Sequence, residues 1–311
     1  MIATKASRAQ RDWVVAIASL LAAGALLGLS TNMAKLAGEA DLTPLAFLTW
    51  SISGAAVVLF AVGAAKGHLP AINLRTLEYF TVAAFVTVAG SNMIFFSAVP
   101  LVGVSFVTLV ITLPPLLTYV GALLLRMEAF DWRRAAGVVA ALIGAGFLAI
   151  KQLNTPNAPV FWVMLTLLGP VLLAIGNIYR TIRWPDGERA DALAPGMLLA
   201  AAAMLFAVAL LPGFSAKVPL VAAWPIFLIM VQAIIFAAQF QLMFILQKAG
   251  GPVLLSLLGA VGAVVGVPVA ILLLGEKPPD GLIIGSVLIG LGIVFVATSQ
   301  KKTPDLKKAT Q

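Results

Sequence analysis

The chain predicts an all-α integral membrane protein: ten transmembrane helices in two inverted five-helix repeats, with the N- and C-termini cytoplasmic. Three observations predict it. Of 311 residues, 61% are hydrophobic and 10% are charged, whereas a soluble domain carries about 25% charged residues. The apolar residues gather in ten continuous runs of about 20, the length that spans a bilayer as helix. Sliding the chain by 148 residues, close to half its length, places Glu128 on Glu276, Gly103 on Gly251, Gly137 on Gly285 and Gly144 on Gly292.

The runs lie at about 13–36, 43–65, 76–99, 101–125, 132–150, 159–182, 192–211, 221–247, 251–274 and 280–299. They do not alternate, so a barrel with its ~10-residue alternating strands is disfavoured. In lipid the backbone must satisfy itself, and continuous apolar runs do so as helices. The first run is long and lacks a clear small-residue cleavage site, unlike a signal peptide. No stretch of soluble-domain length separates the spans. Residues 13–150 form the first repeat and 159–299 the second, with 1–12 and 300–311 as cytoplasmic tails.

Basic residues orient the bundle. With the N-terminus inside, sixteen Lys and Arg fall on the cytoplasmic side. Only Lys35, Lys151, Lys217 and Lys277 fall outside. This bias places both termini in the cytoplasm, in agreement with an even span count. The net charge of +8 is then a topology signal, and a nucleic-acid partner is unnecessary. The tail from Lys301 to Lys308 is a solvated stop-transfer segment that also suits anionic headgroups.

Each half has five spans, an odd number, so the second copy enters the membrane upside down. Glu128 closes span four on the cytoplasmic side and Glu276 closes span nine outside. A pseudo-twofold axis in the membrane plane follows, the arrangement of many carriers.

Several chemistries are absent from the sequence. There is no cysteine and one histidine, His68, in a loop, which leaves no zinc or haem ligand set. No Walker loop, nucleophile elbow or paired carboxylate appears. We read no enzyme, cofactor or metal. The twelve acidic residues all map to loops or span ends, whereas proton-coupled carriers usually place ionisable groups within the membrane. A facilitator, or a carrier whose coupling uses backbone carbonyls, is expected, and proton antiport through a buried carboxylate is disfavoured. Gly24-x-x-x-Gly28, Gly262-x-x-x-Gly266 and Gly281-x-x-x-Gly285 have the spacing of close helix packing, read as packing within one monomer.

Breaks and polar side chains mark a candidate site. Pro114-Pro115 falls near the middle of span four, and its repeat partner is Gly262-Ala263, followed by Gly266 and Pro268. Two prolines free backbone carbonyls, which must face protein, water or substrate. Helices interrupted at matched positions point to a midplane site; the alternative is a kink used only for packing. Polar residues inside the spans include Asn32, Ser91, Asn92, Asn177 and Gln239, with Tyr119 and Tyr179 among the aromatics. Amides in hydrocarbon are costly without partners and should point inward. Aligning Asn32 with Asn177 also aligns Lys35 with Arg180, in a register of 145. The candidate cavity residues are therefore Asn32, Ser91, Asn92, Pro114, Pro115, Tyr119, Asn177, Tyr179, Gln239 and Gly262. Gly266, Pro268, Glu128 and Glu276 are hinge or structural candidates.

These marks resemble the drug/metabolite transporter superfamily in its EamA-like branch. They are the Leu-Leu-Gly-Glu close of span nine (Leu273 to Glu276), its degraded copy ending at Glu128, the prolines of span four, and the glycine-spaced fifth and tenth spans (Gly137, Gly144 and Gly146; Gly285, Gly290 and Gly292). The resemblance covers about residues 13–299 and is nearest to bacterial amino-acid exporters. It implies export of amino acids, aromatic and other, and related metabolites across the inner membrane by alternating access. The first copy reads Arg126-Met127-Glu128 where the family favours Gly-Glu, and span one has Leu-Ser-Thr-Asn in place of Trp-Gly-x-Asn, leaving Asn32 as the transferable position. The expected partners are a small-molecule substrate and the bilayer, with a monomer sufficient. A channel-like pore, and a lipid flippase or structural membrane protein, are the alternatives.

Overall fold

The Asn73 side chain accepts from the Thr76 amide at 2.9 Å, and Thr76 Oγ1 accepts from the Asn73 amide at 3.0 Å. This capping box starts one helix of a bundle whose caps and breaks follow local chemistry in this way. The structure, a computed structural model, describes residues 2–127, 129–154, 159–219 and 223–298. Glu128, one of the hinge candidates, and the tail 300–311 lie outside the described residues.

All regular structure among the described residues is helical. The helices are α1 (Ile2–Glu39), α2 (Pro44–Ala65), α3 (Leu74–Ala84), α4 (Gly90–Val102), α5 (Val104–Val110), α6 (Pro114–Leu124), α7 (Trp132–Leu153), α8 (Val160–Ile182), α9 (Ala190–Ala209), α10 (Ala223–Ser256), α11 (Leu258–Leu272) and α12 (Leu282–Thr298). A π-helical segment, Phe85–Ala89, joins α3 to α4. Among the described residues, eight helical segments are long and apolar enough to cross a membrane; the apolar helices α11 and α12 are shorter. Helix α1 starts at Ile2, well before the first apolar run, and so takes in residues 2–12 of the segment read as a tail.

Span four is not one helix. Pro114 and Pro115 are the first residues of α6, where their missing amides cost least. The chain between α5 and α6 is held by Thr112 and Leu113 amides donating to the Leu109 and Val110 carbonyls. Pro115 leaves the Ile111 carbonyl without its helical donor, and that carbonyl abuts Gly259 of α11 so closely that any Cβ there would overlap it. In span nine the interruption falls at Leu257, between α10 and α11, rather than at Gly262. Gly262 lies inside α11, covered by Gly24 and Leu27 of α1. A glycine gripped on one face by a neighbouring helix keeps its helical bonds. Under the 148-residue register Leu257 matches Leu109, at the end of α5.

Helix pairing recurs in related sets. Helix α1 packs mainly against α10 and α11, and α8 packs against α4 and α6. Helix α2 lies against α9, and α7 against α12. On the α7–α12 seam a Cβ at Gly144 would sit 2.9 Å from the Gly285 carbonyl, and one at Gly292 would overlap the Gly137 carbonyl. The 148-residue slide exchanges these two contacts. On α1, Gly28 meets Gly262 and Gly266, so the GxxxG motifs join helices of one chain.

The two ends of the bundle differ. Around Arg75 and Arg183, the basic end, two exposed ion pairs join α3 to the segment after α8: Arg75 to Asp186 and Arg183 to Glu78, each at 2.7 Å. The hydrogen bond to the Glu78 carboxylate, more than its charge, raises the Arg183 pKa above its ordinary value. At the opposite end Glu276 accepts the Val104 and Ser105 amides, each at 2.9 Å, and caps α5. Gly103 precedes them with φ 87°, and a Cβ on it would lie 2.8 Å from the Glu276 carboxylate. Both conditions require glycine there. Lys35 Nζ donates to the Leu274 carbonyl at 2.9 Å nearby.

Candidate functional site

Five of the buried polar residues on α1, α8 and α10 converge on one cavity of about 90 Å³, together with residues from the π segment, α4, α6 and α11. It has room for several waters. Its polar lining is Ser30 and Thr31 from α1, Thr87 from the π segment, Asn92 from α4, Asn177 and Arg180 from α8, and Gln239 from α10. Phe95, Phe96 and Phe240 supply aromatic walls, and Pro114, Ile111 and Gly259 bring the helix breaks to its edge.

Local structure explains each position. The π segment adds a residue to one turn and turns Thr87 toward α8; such single-turn bulges often mark functional sites. Thr87 Oγ1 donates to the Ala83 carbonyl at 2.5 Å. Room for it exists because Gly176 faces it, where a Cβ would overlap the threonine methyl. Gly169 makes the same allowance for Phe95. On α1, Thr31 shares a hydrogen bond with Thr108 at 3.1 Å, and Ser30 accepts from Gln232 Nε2 at 2.5 Å.

Arg180 is the main charged feature. Its residue is 2% exposed, yet it faces the cavity. One guanidinium nitrogen donates to Asn177 Oδ1 at 2.8 Å, and another lies 3.5 Å from the Met243 sulfur. Nε has no hydrogen-bond partner. Among the described residues no carboxylate forms an ion pair with it. Gln239 Oε1, also on the cavity lining, is likewise without a partner. A buried cation usually needs a counter-charge, and the interior here supplies an amide instead.

Of the residues selected from the sequence, Asn92, Pro114, Asn177 and Gln239 line this cavity. Asn32 sits beside it, donating to the Gly28 and Gly266 carbonyls at 2.8 and 3.0 Å, and holds α1 to α11. Ser91 and Pro115 are buried but outside the lining. Tyr119 is at the basic end, where its hydroxyl bonds the Asp131 backbone and its ring lies under the Arg134 guanidinium at 5.5 Å. Tyr179 stacks on Tyr79 with ring centroids 6.1 Å apart. Gly262 serves the α1–α11 contact, Gly266 offers its carbonyl to Asn32, and Pro268 is an exposed residue within α11. Sequence reasoning placed Arg180 among the basic residues of the cytoplasmic end. The signal for its other role was its place three residues after Asn177, on the same helix face.

This donor set has the chemistry of a binding site. It offers one guanidinium, amides and hydroxyls to a polar group and three phenyl rings to an apolar one. Among the described residues no group of three or more His, Asp or Glu side chains is placed to hold a metal ion.

No curated protein matches the chain significantly. A solved structure described only as a crystal structure of protein is 20% identical, with 93% of this chain and 97% of that chain covered and a TM-score of 0.63. That likeness concerns the fold. Residues 14–150, somewhat under half of the chain, match the model of the EamA-like transporter family, and that segment is similar to an EamA-like transporter domain.

Proposed function

We propose that this protein is an inner-membrane exporter of amino acids and related small metabolites, working as a facilitator by alternating access. It would have ten spans, counting α11 and α12, with both termini cytoplasmic, and a monomer would suffice. The observation that carries the reading is the cavity of mixed polarity between helices of both halves, edged by the interruptions of spans four and nine. Paired interruptions around a central site are the architecture of carriers built from repeats. The EamA-like domain over residues 14–150 supports a membrane transporter. The basic-residue bias supports the orientation. Among the described residues the cavity lining contains no carboxylate, which favours facilitation over proton coupling.

The test is radiolabelled uptake across the amino acids in proteoliposomes. We expect saturable flux with counterflow for at least one amino acid and no stoichiometric change in lumenal pH. Linear, unsaturated flux would favour a channel. Lipid scrambling without amino-acid entry would favour a flippase.

A further inference from the structure

We infer that Arg180, with Asn177, is the anchor for a single carboxylate on the transported molecule. This rests on the transporter reading and names the part of the substrate that the cavity recognises. The guanidinium is almost fully buried, faces the cavity, and lacks a carboxylate partner among the described residues. Its Nε is unpaired. A guanidinium presents its donors in a planar fork that matches a carboxylate. Asn177 Oδ1 already accepts from one terminal nitrogen, which orients the fork without cancelling its charge.

The repeat sharpens the point. Lys35 and Asn32 are the counterparts of Arg180 and Asn177 in the 145-residue register. Both counterparts are spent on span-nine carbonyls, those of Leu274 and Gly266. Arg180 and Asn177 make no corresponding bond to α6 among the described residues, so this half keeps its cation for a ligand.

The same lining sets the rest of the specificity. Among the described residues, Arg180 is the only charged one on it. One positive charge suits one negative charge, so a monocarboxylate fits and a phosphate dianion does not. Among the described residues no carboxylate lines the cavity to grip an ammonium, so an amino group is tolerated rather than required. The apolar remainder of the ligand would meet Phe95, Phe96 and Phe240.

The test is thermal stability of the purified full chain in detergent, read with paired probes: monocarboxylates from acetate to 3-phenylpropanoate, L-phenylalanine, their amides, and 2-phenylethylamine. We expect the carboxylates to raise the Tm and the amides and the amine to leave it unchanged. In Arg180→Met the carboxylate effect should weaken about tenfold or more in apparent affinity. The ligand-free Tm of that variant should match or exceed wild type, because an unpaired buried charge has been removed. A purely structural arginine would lower it. Arg180→Lys should keep part of the carboxylate response.

Equal stabilisation by amides and acids, no response to any carboxylate, or unchanged carboxylate binding in Arg180→Met would overturn the anchor. If the methionine variant fails to fold, the wild-type comparison of acid with amide decides alone. Carboxylate binding through Arg180 with no amino-acid flux would keep the anchor and sink the amino-acid reading. Equal amino-acid counterflow in wild type and Arg180→Met would do the reverse.

Discussion

A methyl group placed on Gly28 would overlap the Gly262 carbonyl. At this scale the bundle depends on missing side chains, because backbone contact replaces the hydrophobic force that lipid does not provide. Gly28→Ala should therefore destabilise the detergent-purified protein by about 1–3 kcal/mol, read as a fall in Tm. Gly146→Ala is the control: nothing lies within 4 Å of a Cβ there. Removing a helical glycine should be neutral or stabilise by up to about 1 kcal/mol. A fall in Tm for Gly146→Ala as large as that for Gly28→Ala would contradict the packing argument. Which glycines matter was not legible in the chain, since Gly28 and Gly146 sit in similar apolar sequence. Arg180 poses the same difficulty, because an arginine near the end of an apolar run reads as an interfacial anchor. Only the bundle around it reveals that it is 2% exposed.

At the scale of elements, α5 is a seven-residue helix too short to persist alone. It is held by a carboxylate from the far half of the chain, since Glu276 accepts its first two amides. Glu276→Ala should cost about 1.5–3 kcal/mol, the worth of hydrogen bonds to a charged group. Glu276→Gln, able to accept one of the two bonds, should lose less. The order of the two Tm values checks this: equal losses would mean that bulk, not acceptance, holds the junction. The prolines made the break in span four legible, because the loss of amides is a local covalent fact. The break in span nine was not legible, because Leu257 carries no mark of it. The competing choice, Gly262, is a packing glycine.

At the scale of the molecule, the Gly144–Gly285 and Gly137–Gly292 contacts exchange under the 148-residue slide, which supports two halves of opposite orientation. The ends are nonetheless unequal. One is tied by Lys35, Asn32 and Glu276 to chain distant in sequence. At the basic end a cleft lined by Thr181, Trp184 and Gln247 opens, and Gln247 follows the cavity residue Met243 by one helical turn. We propose that this is the inward-facing state. The absence of cysteine permits a clean check: Thr181→Cys, exposed in this cleft, should react with a membrane-impermeant maleimide from the cytoplasmic side, and the buried Val102→Cys should stay protected from outside. Rapid labelling of Val102→Cys from outside would reverse the assignment.

The sequence by itself determined that the chain is helical and apolar enough for lipid, and the approximate place of most of its helices. Composition, run length and proline act locally and are written residue by residue. The four cavity residues legible beforehand, Asn92, Pro114, Asn177 and Gln239, were polar or helix-breaking groups in apolar runs, anomalies that need no partner to be noticed. The tertiary structure alone decided which of them meet, which glycines are seams, that Glu276 caps α5, and that Arg180 faces a cavity without a counter-ion among the described residues. Those properties belong to pairs of residues far apart in the chain, and they exist only once the helices have packed.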